Sequence, residues 1–412
     1  MKTDLDNLMQ AARIEAILIT GHAQHNPPMY YFTGGGHISH ATLVKRWGEG
    51  ALLFYNPMER DEAAKTGLAT RDLGEYRLHE LLKQVDGDML AATVMRYQKM
   101  FADLGIERGR VALYGRLDAG ESYALFSALQ RVMPELEFVG QMDDSLLLQA
   151  RATKDESEVD RIRQMGRITT QVVGRVADYL TSQRVKDGVL VKRDGEPLTV
   201  GEVKGKINFW LAELGAENPE GTIFAIGRDA GVPHSAGAPR DFLRPGQTIV
   251  FDIFPCEAGG GYHYDFTRTW CLGYAPDEVQ ALYEDVRFVF QQIMSELVAG
   301  EHCPVFQRRT CELFEARGHA TIHRDPQTTS GYVHSLGHGL GLDVHERPWF
   351  GRNATAQDRL EPGSVVTIEP GLYYPERGMG VRLEDTVWVR PDGVMEVLAD
   401  YPYDLVLPLN GA

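Results

Sequence analysis

Cysteine is scarce in this sequence, so we expect neither a disulfide framework nor a structural zinc site built from cysteines. The chain has 412 residues and only four cysteines, none of them in a CxxC pair. Such usage is typical of reduced thiols inside a cell rather than of a disulfide framework, and it gives no basis for a structural zinc site. The cysteines are Cys256, Cys271, Cys303 and Cys311.

Excess positive charge and long apolar runs are also missing. Lys and Arg number 42 against 58 Asp and Glu, a formal net charge of −16, which argues against a nucleic-acid partner or an anionic membrane surface. No apolar run has the length needed to cross a bilayer. The N-terminal segment is interrupted by Arg13 and Glu15, unlike the apolar core of a signal peptide. We therefore expect a cytoplasmic protein.

The order of helical and strand-like segments predicts two domains, residues 1–148 and 149–412. In the first, helical stretches alternate with strand-like runs such as AILIT, GALLFY and VALYG, which predicts a small α/β domain. A loop rich in glycine and proline in this part carries four histidines. We interpret them as solvated, and a role at the mouth of a neighbouring active site across a dimer stays open: His22, His25, His37 and His40.

The second predicted domain has an α+β pattern. A long amphipathic helix begins after Thr153, with Thr153 or Asp155 as its cap. A capping box of Thr199 and Glu202 opens another helix, and a third begins at Pro276. The runs TIFAI, TIVFDIF, SVVTI and DTVWV predict strands. We expect helices on one side of an antiparallel sheet, with the functional residues on the strands.

One stretch of the second domain, VHSLGHGLGLDVHERP, carries three histidines among glycines. The glycines disfavour a helix but let the backbone pack closely around a bound group. A single histidine in an apolar setting is more often part of the core than a ligand, so the stretch alone is only a candidate. Its histidines are His334, His338 and His345.

Four carboxylates lie in strand-like runs that would otherwise be buried. Burying several anions together is costly unless a cation neutralises them. Four carboxylates and one imidazole, that of His338, form the ligand set of a pair of divalent metal ions. The carboxylates are Asp252 in TIVFDIF, Asp265 in YHYDFTRTW, Glu369 in VVTIEPG and Glu384 in VRLEDTVWV.

Spacing supports this grouping. Asp252 and Asp265 are thirteen residues apart, enough for a strand, a turn at 257–261 and a return strand that brings both side chains to one face. Arg382 and Glu384 share a face of their strand because strand side chains alternate. The Arg382 guanidinium could pair with a ligand carboxylate and hold its orientation.

Two metal ions held by carboxylates lower the pKa of a bridging water and polarise the carbonyl that this water attacks. Hydrolysis of an amide also needs a proton for the leaving nitrogen and stabilisation of the oxyanion. The candidates for these roles are His345 and His234, the latter in the loop segment GVPHSAG.

These residues together resemble the pita-bread metallopeptidases, which include methionine aminopeptidase, aminopeptidase P and prolidase. The ligand order Asp, Asp, His, Glu, Glu is that of the family, with FTRTW after the second aspartate and TIEPG around Glu369. The segment ARATKDESEVDRIR resembles the start of the catalytic domain in the prolidase and aminopeptidase P branch. An N-terminal domain of this size also fits that branch.

The resemblance implies roles for individual residues. Glu369 would act as base on the attacking water as well as bind metal, His345 and His234 would contact the substrate carbonyl and the intermediate, His334 would line the proline pocket, and Arg382 would lie behind the ligands. The metal is usually manganese, with cobalt or zinc as alternatives, and an oxygen-rich site with one imidazole fits manganese independently. Dimerisation through the N-terminal domain is also implied.

Two features depart from the family pattern. The aspartates are two residues further apart than the usual eleven, and Phe254 stands where glycine is common. Neither change removes a ligand.

We favour a Xaa-Pro dipeptidase (prolidase) acting on a proline-containing dipeptide. A dipeptidase needs a cation for the free carboxylate of its substrate, and Arg347 and Arg352 follow the histidines, although solvated loop arginines explain them equally well. The alternative is a Xaa-Pro aminopeptidase acting on longer peptides. A lyase resembling the dimethylsulfoniopropionate lyases, a creatinase-like enzyme without metal and an inactive peptide-binding module are less favoured, because all five ligands are present.

Overall fold

The structure is a computed structural model that describes residues 4–142 and 145–409. By internal contacts the chain divides into two compact units. The first unit is Met1–Ala150 with Gly259–Gly261, and the second is Arg151–Ala258 with Tyr262–Ala412. The boundary predicted between residues 148 and 149 lies two residues before this division. Each unit is described separately.

The first unit is a mixed six-stranded sheet with helices. Its strands are β1 (Ile14–Gly21), β2 (Ala41–Arg46), β3 (Ala51–Tyr55), β4 (Ala69–Asp72), β5 (Gly109–Arg116) and β6 (Leu136–Val139). Its helices are α1 (Leu5–Ala11), α2 (Pro27–Thr33), α3 (Arg60–Lys65), α4 (Leu78–Gln84), α5 (Met89–Asp103) and α6 (Ala119–Val132). The strand order is β4-β3-β2-β1-β5-β6. Strand β1 is antiparallel to β2 and parallel to β5.

Both faces of this sheet are buried, which explains why its central strands are almost continuously apolar. Ile17 and Ile19 of β1 belong to one buried cluster, and Leu18, between them, belongs to another with Phe54 of β3 and Tyr97 of α5. The separation follows from the alternation of side chains along a strand.

The helices of the second unit begin where capping residues occur in the sequence. A short helix, α7 (Leu146–Arg151), contains the division between the units; it is followed by α8 (Glu156–Thr181), α9 (Val200–Glu213), α10 (Asp277–Glu296) and α11 (Cys303–Glu315). Asp155 and Glu158 form a capping box at the start of α8, and Thr199 and Glu202 form the predicted one at α9. Pro276 is the cap of α10 rather than its first residue.

The strands of the second unit divide into several sheets, where one antiparallel sheet was expected. They are β7 (Arg184–Lys186), β8 (Val189–Val191), β9 (Ala216–Glu217), β10 (Thr222–Ile226), β11 (Thr248–Ile253), β12 (Cys256–Glu257), β13 (Phe266–Leu272), β14 (His338–Gly339), β15 (Glu346–Trp349), β16 (Val365–Ile368), β17 (Gly371–Tyr374), β18 (Met379–Arg382), β19 (Asp385–Val389), β20 (Met395–Val397) and β21 (Val406–Leu407). The two largest sheets have the orders β10-β11-β13-β21 and β15-β14-β16-β19-β20. Strand β21 is parallel to β13. Strand-like runs predict strands, but tertiary packing decides which strands pair.

The connection between β11 and β13 is more elaborate than the predicted turn. Cys256–Glu257 forms the short strand β12, which pairs with Ala216–Glu217 of β9. Gly259–Gly261 groups with the first unit. Strands β11 and β13 nevertheless pair as an antiparallel hairpin, as expected, with Asp252 opposite Thr267.

Helices α10 and α11 supply much of the core of the second unit. Val286, Phe290 and Ile293 of α10 are buried in one cluster with Phe314 of α11 and Val387 of β19. Their spacing places them on one helical stripe. Within the described residues, no helix is both long enough and apolar enough to span a membrane.

Candidate metal centre

The two predicted aspartate ligands are carried by the β11/β13 hairpin. Asp252 lies on β11, and Asp265 directly precedes β13. Both are buried, with 8% and 4% of their surface exposed. The backbone N–H of Phe266 donates to Asp265 Oδ1 over 2.9 Å. The hairpin thus brings two carboxylates to one face of a buried sheet, as period-two alternation predicts.

The other three predicted ligands lie at the neighbouring five-stranded sheet: His338 on β14, Glu369 directly after β16 and Glu384 directly before β19. His338 Nε2 is 3.8 Å from Asp265 Oδ2 and 3.4 Å from Glu369 Oε1. One donor atom each from Asp265, His338 and Glu384 lies within 4.8 Å of the others, and all three residues are buried. All five predicted ligands, Asp252 included, line one cavity.

Two glycines permit this close approach. A Cβ at Gly337 would lie 1.9 Å from the carbonyl oxygen of Thr367, and a Cβ at Gly339 would lie 1.9 Å from that of Arg347. No side chain fits at such distances. The two glycines that flank His338 therefore let its strand pack against both neighbouring segments.

Hydrogen bonds orient the ligands. His338 Nδ1 is 3.1 Å from the carbonyl oxygen of Gly339, an arrangement that assigns the proton to Nδ1 and leaves Nε2 available for a metal. Thr267 Oγ1 donates to Glu384 Oε2 over 2.7 Å. Arg382 Nη2 donates to Asp252 Oδ2 over 2.5 Å, so the guanidinium lies beside a predicted ligand.

Without a bound cation, the surroundings disfavour the ionised form of the clustered carboxylates. Burial, followed by repulsion from neighbouring carboxylates, raises the pKa of both Asp265 and Glu384 well above the ordinary range. Burial raises the pKa of Glu369 to about 8, against the opposing charge of Arg382. Burial also lowers the pKa of His338 to about 3, so its imidazole is neutral. Bound cations would stabilise the ionised form of these carboxylates, and the neutral imidazole is already in the form that binds metal.

Divalent metal ions fit this set. Asp252 Oδ1 is buried and has no hydrogen-bond partner among the described residues, which leaves it available as a donor. Four carboxylates supply up to eight oxygens, enough to bridge and surround two ions with the single imidazole.

The predicted catalytic histidines line the same cavity, which has a volume of about 510 Å³. The ring of His345 lies 4.3 Å from that of His338, centroid to centroid. Burial lowers the pKa of His345, which favours its neutral form. His234 lines the cavity from the segment before β11. His334, expected in the proline pocket, also faces it.

A tyrosine that sequence reasoning missed connects two of these residues. Tyr373 Oη is 2.9 Å from His334 Nε2 and accepts a hydrogen bond from Arg382 Nη1 over 2.7 Å. His334 Nδ1 lies 2.7 Å from the carbonyl oxygen of Ser335, so the tyrosine hydroxyl donates to Nε2. The sequence carries no signal for this role, because tyrosine in a strand usually belongs to the core.

The two arginines proposed for the substrate carboxylate differ in position. Arg352 is exposed and lines the cavity, with Nη2 donating to the carbonyl oxygen of Pro326 over 2.9 Å. Arg347 is buried and pairs with Asp358, Nη1 to Oδ1, over 3.0 Å. It is not among the residues that line the cavity. The prediction that Arg347 binds substrate is therefore wrong: its charge neutralises a buried carboxylate.

The remaining wall of the cavity was not foreseen. Phe254, Ile223, Val344 and Trp349 provide apolar surface, and Glu220 adds one exposed carboxylate. An apolar wall beside a few polar groups is the usual composition of a small-molecule site. Only Phe254 had been singled out in the sequence.

Comparisons with known proteins agree with this geometry. The model of metallopeptidase family M24 matches residues 160–391. The probable dipeptidase PepE of Mycobacterium tuberculosis is 30% identical over 267 residues, which cover 64% of this chain and 62% of PepE. The chain thus spans less than two thirds of that relative. The Xaa-Pro dipeptidase of Pyrococcus horikoshii is 26% identical over 390 residues, 93% of each chain.

The fold is shared with solved structures. The crystal structure of a dipeptidase from Pyrococcus horikoshii OT3 superposes with a TM-score of 0.72, at 23% identity and with 98% of each chain covered. This likeness confirms the predicted fold class, an α+β pita-bread domain that follows a smaller α/β domain. Because the family model covers more than half of the chain and includes all five predicted ligands, the chain belongs to metallopeptidase family M24.

Proposed function

We propose that this protein is a metal-dependent Xaa-Pro dipeptidase, which hydrolyses the bond before proline in a dipeptide. One observation carries the proposal: the buried carboxylates of Asp252, Asp265 and Glu384, the partly buried one of Glu369 and the neutral His338 line one cavity together with three further histidines. Relatives named as dipeptidases and Xaa-Pro dipeptidases support the choice of substrate. A Xaa-Pro aminopeptidase acting on longer peptides is the alternative.

Asp252, Asp265, His338, Glu369 and Glu384 would hold two divalent ions. Manganese is our choice, because oxygen donors dominate the set, with cobalt or zinc as alternatives. When bound, the ions supply Lewis acidity and lower the pKa of a water ligand.

The protein's own groups divide the remaining work. Glu369 would take the proton of the attacking water, since its Oε1 lies within the cluster, 3.4 Å from His338 Nε2. His345 and His234 donate hydrogen bonds to the substrate carbonyl and the intermediate. His334 lines the proline pocket, held by Tyr373, and Arg352 supplies a cation for the free carboxylate.

The assignment of residues 1–148 and 149–412 as separate domains belongs to this proposal. So do a homodimer and a cytoplasmic location. Sedimentation velocity of the purified protein tests the dimer directly, since a mass near 46.0 kDa would contradict it.

Hydrolysis of three peptides tests the substrate. Chelator-stripped protein is assayed with Ala-Pro, Ala-Pro-Ala and Ala-Ala, with and without added manganese. We expect metal-dependent cleavage of Ala-Pro alone. Preference for Ala-Pro-Ala would identify an aminopeptidase, and no cleavage of any peptide by the metal-bound protein would move the assignment to a different reaction.

Metal content tests the ligands independently of substrate. The variants His338→Ala and Glu384→Gln should each lose bound metal and activity, because each removes a donor from the cluster. Glu361→Gln, at an exposed position of the same unit, is the matched control and should keep both. Full metal content in His338→Ala would contradict the site.

A further inference from the structure

A second cavity lies wholly within the first unit, apart from the metal centre. Its volume is about 930 Å³, and helix α5 and the segments before α4 and α6 contribute to its walls. A volume of this size is within the range of small-molecule sites. The apolar part of the wall consists of Leu73, Leu78, Met89, Leu90, Leu117 and Leu125.

One arginine in this wall has no counter-charge among the residues that the structure describes. Arg96 of α5 lines the cavity and is mostly buried, and its Nε is inaccessible to solvent and has no hydrogen-bond partner among the described residues. Among the described residues, no carboxylate forms an ion pair with its two terminal nitrogens. Burial lowers the pKa of the Arg96 guanidinium, and the opposing effect of the neighbouring Tyr97 is smaller.

The contrast with other buried arginines makes this feature significant. Four arginines of the second unit are almost fully buried, and each is paired with a carboxylate: Arg151 with Glu346, Arg268 with Asp385, Arg347 with Asp358, and Arg382 with Asp252. In a chain with a formal net charge of −16, acids are abundant, yet none of those in residues 4–142 and 145–409 pairs with Arg96. Leaving a guanidinium partly desolvated and unpaired costs free energy that an anion would recover.

The charged side chains that line the cavity, Arg96 included, carry a net positive charge. Arg77 also lines the cavity, with its own partner Glu80 at 3.3 Å, and Glu121 is the acid in the lining. His40 and His79 add two imidazoles that can donate hydrogen bonds. The cavity thus combines an unpaired guanidinium with an apolar wall.

We propose that the cavity of the first unit binds a small organic acid, with its carboxylate on Arg96 and an apolar body against the leucine and methionine side chains. Guanidinium and carboxylate match in geometry through paired N–H donors. A second copy of the chain could present an acidic side chain instead, but a cavity of about 930 Å³ around a mostly buried arginine favours a small molecule.

Calorimetric titration of the full-length, metal-loaded protein tests the proposal with three probes: hexanoate, 1-hexanol and acetate. Hexanoate has both the charge and the apolar body, and each of the others lacks one of them. We expect saturable binding of hexanoate at one site per chain, with 1-hexanol and acetate at least tenfold weaker. Equal binding of 1-hexanol would overturn the role of the charge.

Two variants locate the site. Arg96→Met keeps an unbranched, flexible side chain but removes the guanidinium and its charge, so it should weaken hexanoate binding at least tenfold. Arg60→Met, at an exposed arginine of the same unit that does not line the cavity, is the control and should bind hexanoate as the unmodified chain does. Because bound metal ions also accept carboxylates, only binding that is lost in Arg96→Met counts as support.

Two results would reject the small-molecule site: the absence of saturable hexanoate binding, and unchanged hexanoate binding in Arg96→Met. The second result can come with or without a change in the sedimentation mass of Arg96→Met, and the two cases differ in meaning: unchanged mass leaves the cavity without a role for Arg96, and a changed mass points to self-association. If Arg96→Met folds poorly, Arg96→Gln, which also removes the charge, takes its place in the same titrations.

Discussion

Arg382 contacts four different groups with one guanidinium, one of them the carbonyl oxygen of Pro233, which accepts from Nη1 over 3.3 Å. Its Nε donates to Thr267 Oγ1 over 3.2 Å, Nη1 donates to Tyr373, and Nη2 donates to Asp252. Thr267 in turn donates to Glu384, so one cation orients two of the carboxylates. A planar guanidinium suits this arrangement because its donors are held in a rigid fork.

Removing the hydroxyl of Tyr373 tests the connection to His334. Tyr373→Phe leaves the imidazole and one Arg382 nitrogen without their shared partner in a buried place, so we expect a loss of roughly 1 to 3 kcal/mol of unfolding free energy. We also expect a lower kcat with metal content unchanged. Urea denaturation and single-turnover assays measure the two effects.

The control for Tyr373→Phe is Tyr123→Phe, at a tyrosine that is 78% exposed. It should change neither quantity. If Tyr373→Phe retained full stability and full kcat, the hydroxyl would have no positioning role.

His345 is the residue to which we assign stabilisation of the transition state. His345→Ala should lower kcat by roughly 10²-fold or more, because a donor that meets developing charge contributes mainly in the transition state. Metal content should persist, since His345 is outside the ligand set. His323→Ala, at a half-exposed histidine, is the control. An unchanged kcat in His345→Ala would make His345 a packing residue.

At the scale of elements, the hairpin of β14 and β15 carries His338 on its first strand, and its second strand begins directly after His345. A cluster of buried charged side chains holds this hairpin in place. Glu346 of β15 is fully buried. It accepts hydrogen bonds from Arg151, from Lys154 Nζ over 3.1 Å and from the backbone N–H of Asp343 over 3.0 Å. Residues at the start of the second unit thus hold in place a hairpin that lies almost two hundred residues further along the chain.

Breaking this cluster should destabilise the second unit. Arg151→Met leaves Glu346 buried with one fewer cation, and we expect a loss of roughly 3 to 5 kcal/mol of unfolding free energy. Arg175→Met, which breaks the exposed pair with Glu213, is the control and should cost no more than about 1 kcal/mol. Urea denaturation monitored by circular dichroism compares the variants. Equal losses in the two variants would contradict the anchoring role of Arg151.

The same cluster predicts a dependence of stability on pH. Burial alone would raise the pKa of Glu346, but the charges of Arg151 and Lys154 outweigh it and lower the pKa to about 2. The folded state therefore binds fewer protons than the unfolded state between this value and the ordinary value of 4.5. The stabilisation from Glu346 is complete above about pH 4.5 and is lost as the pH falls toward 2.

Denaturation of metal-stripped protein at several pH values measures this effect. The unmodified chain should exceed Glu346→Gln by roughly 3 kcal/mol at pH 6, and the difference should shrink as the pH falls through 4 and 3. A difference that stayed constant with pH would show that the charge of Glu346 does not contribute.

At the scale of the whole molecule, residues with local signals were predictable and residues paired across long distances were not. The capping box at Thr199 and the glycines around His338 announce their structure within a few positions. The pairing of Arg347 with Asp358 depends on burial, which the sequence does not reveal, so Arg347 was assigned wrongly to the substrate. The partnership of Arg151 and Glu346 spans 195 positions and left no local pattern.

The fold class was predictable from two features of the sequence: the order of the ligands, which resembles that of a known family, and the strand-like runs. The pairing of strands was not: one antiparallel sheet was expected, and the strands form two larger sheets and several pairs. The unpaired Arg96 was equally hidden, since a sequence does not show which arginine lacks a partner.

All four cysteines lie in the second unit, and all four are buried. Burial raises the pKa of Cys271 to about 12 and that of Cys311 to about 11, so their thiolates are rare in the folded state. A thiol-reactive dye therefore modifies the protein only when the second unit opens. The rate of dye incorporation in dilute urea, set against the loss of helical signal from both units, would reveal whether the two halves of the chain melt together or in turn.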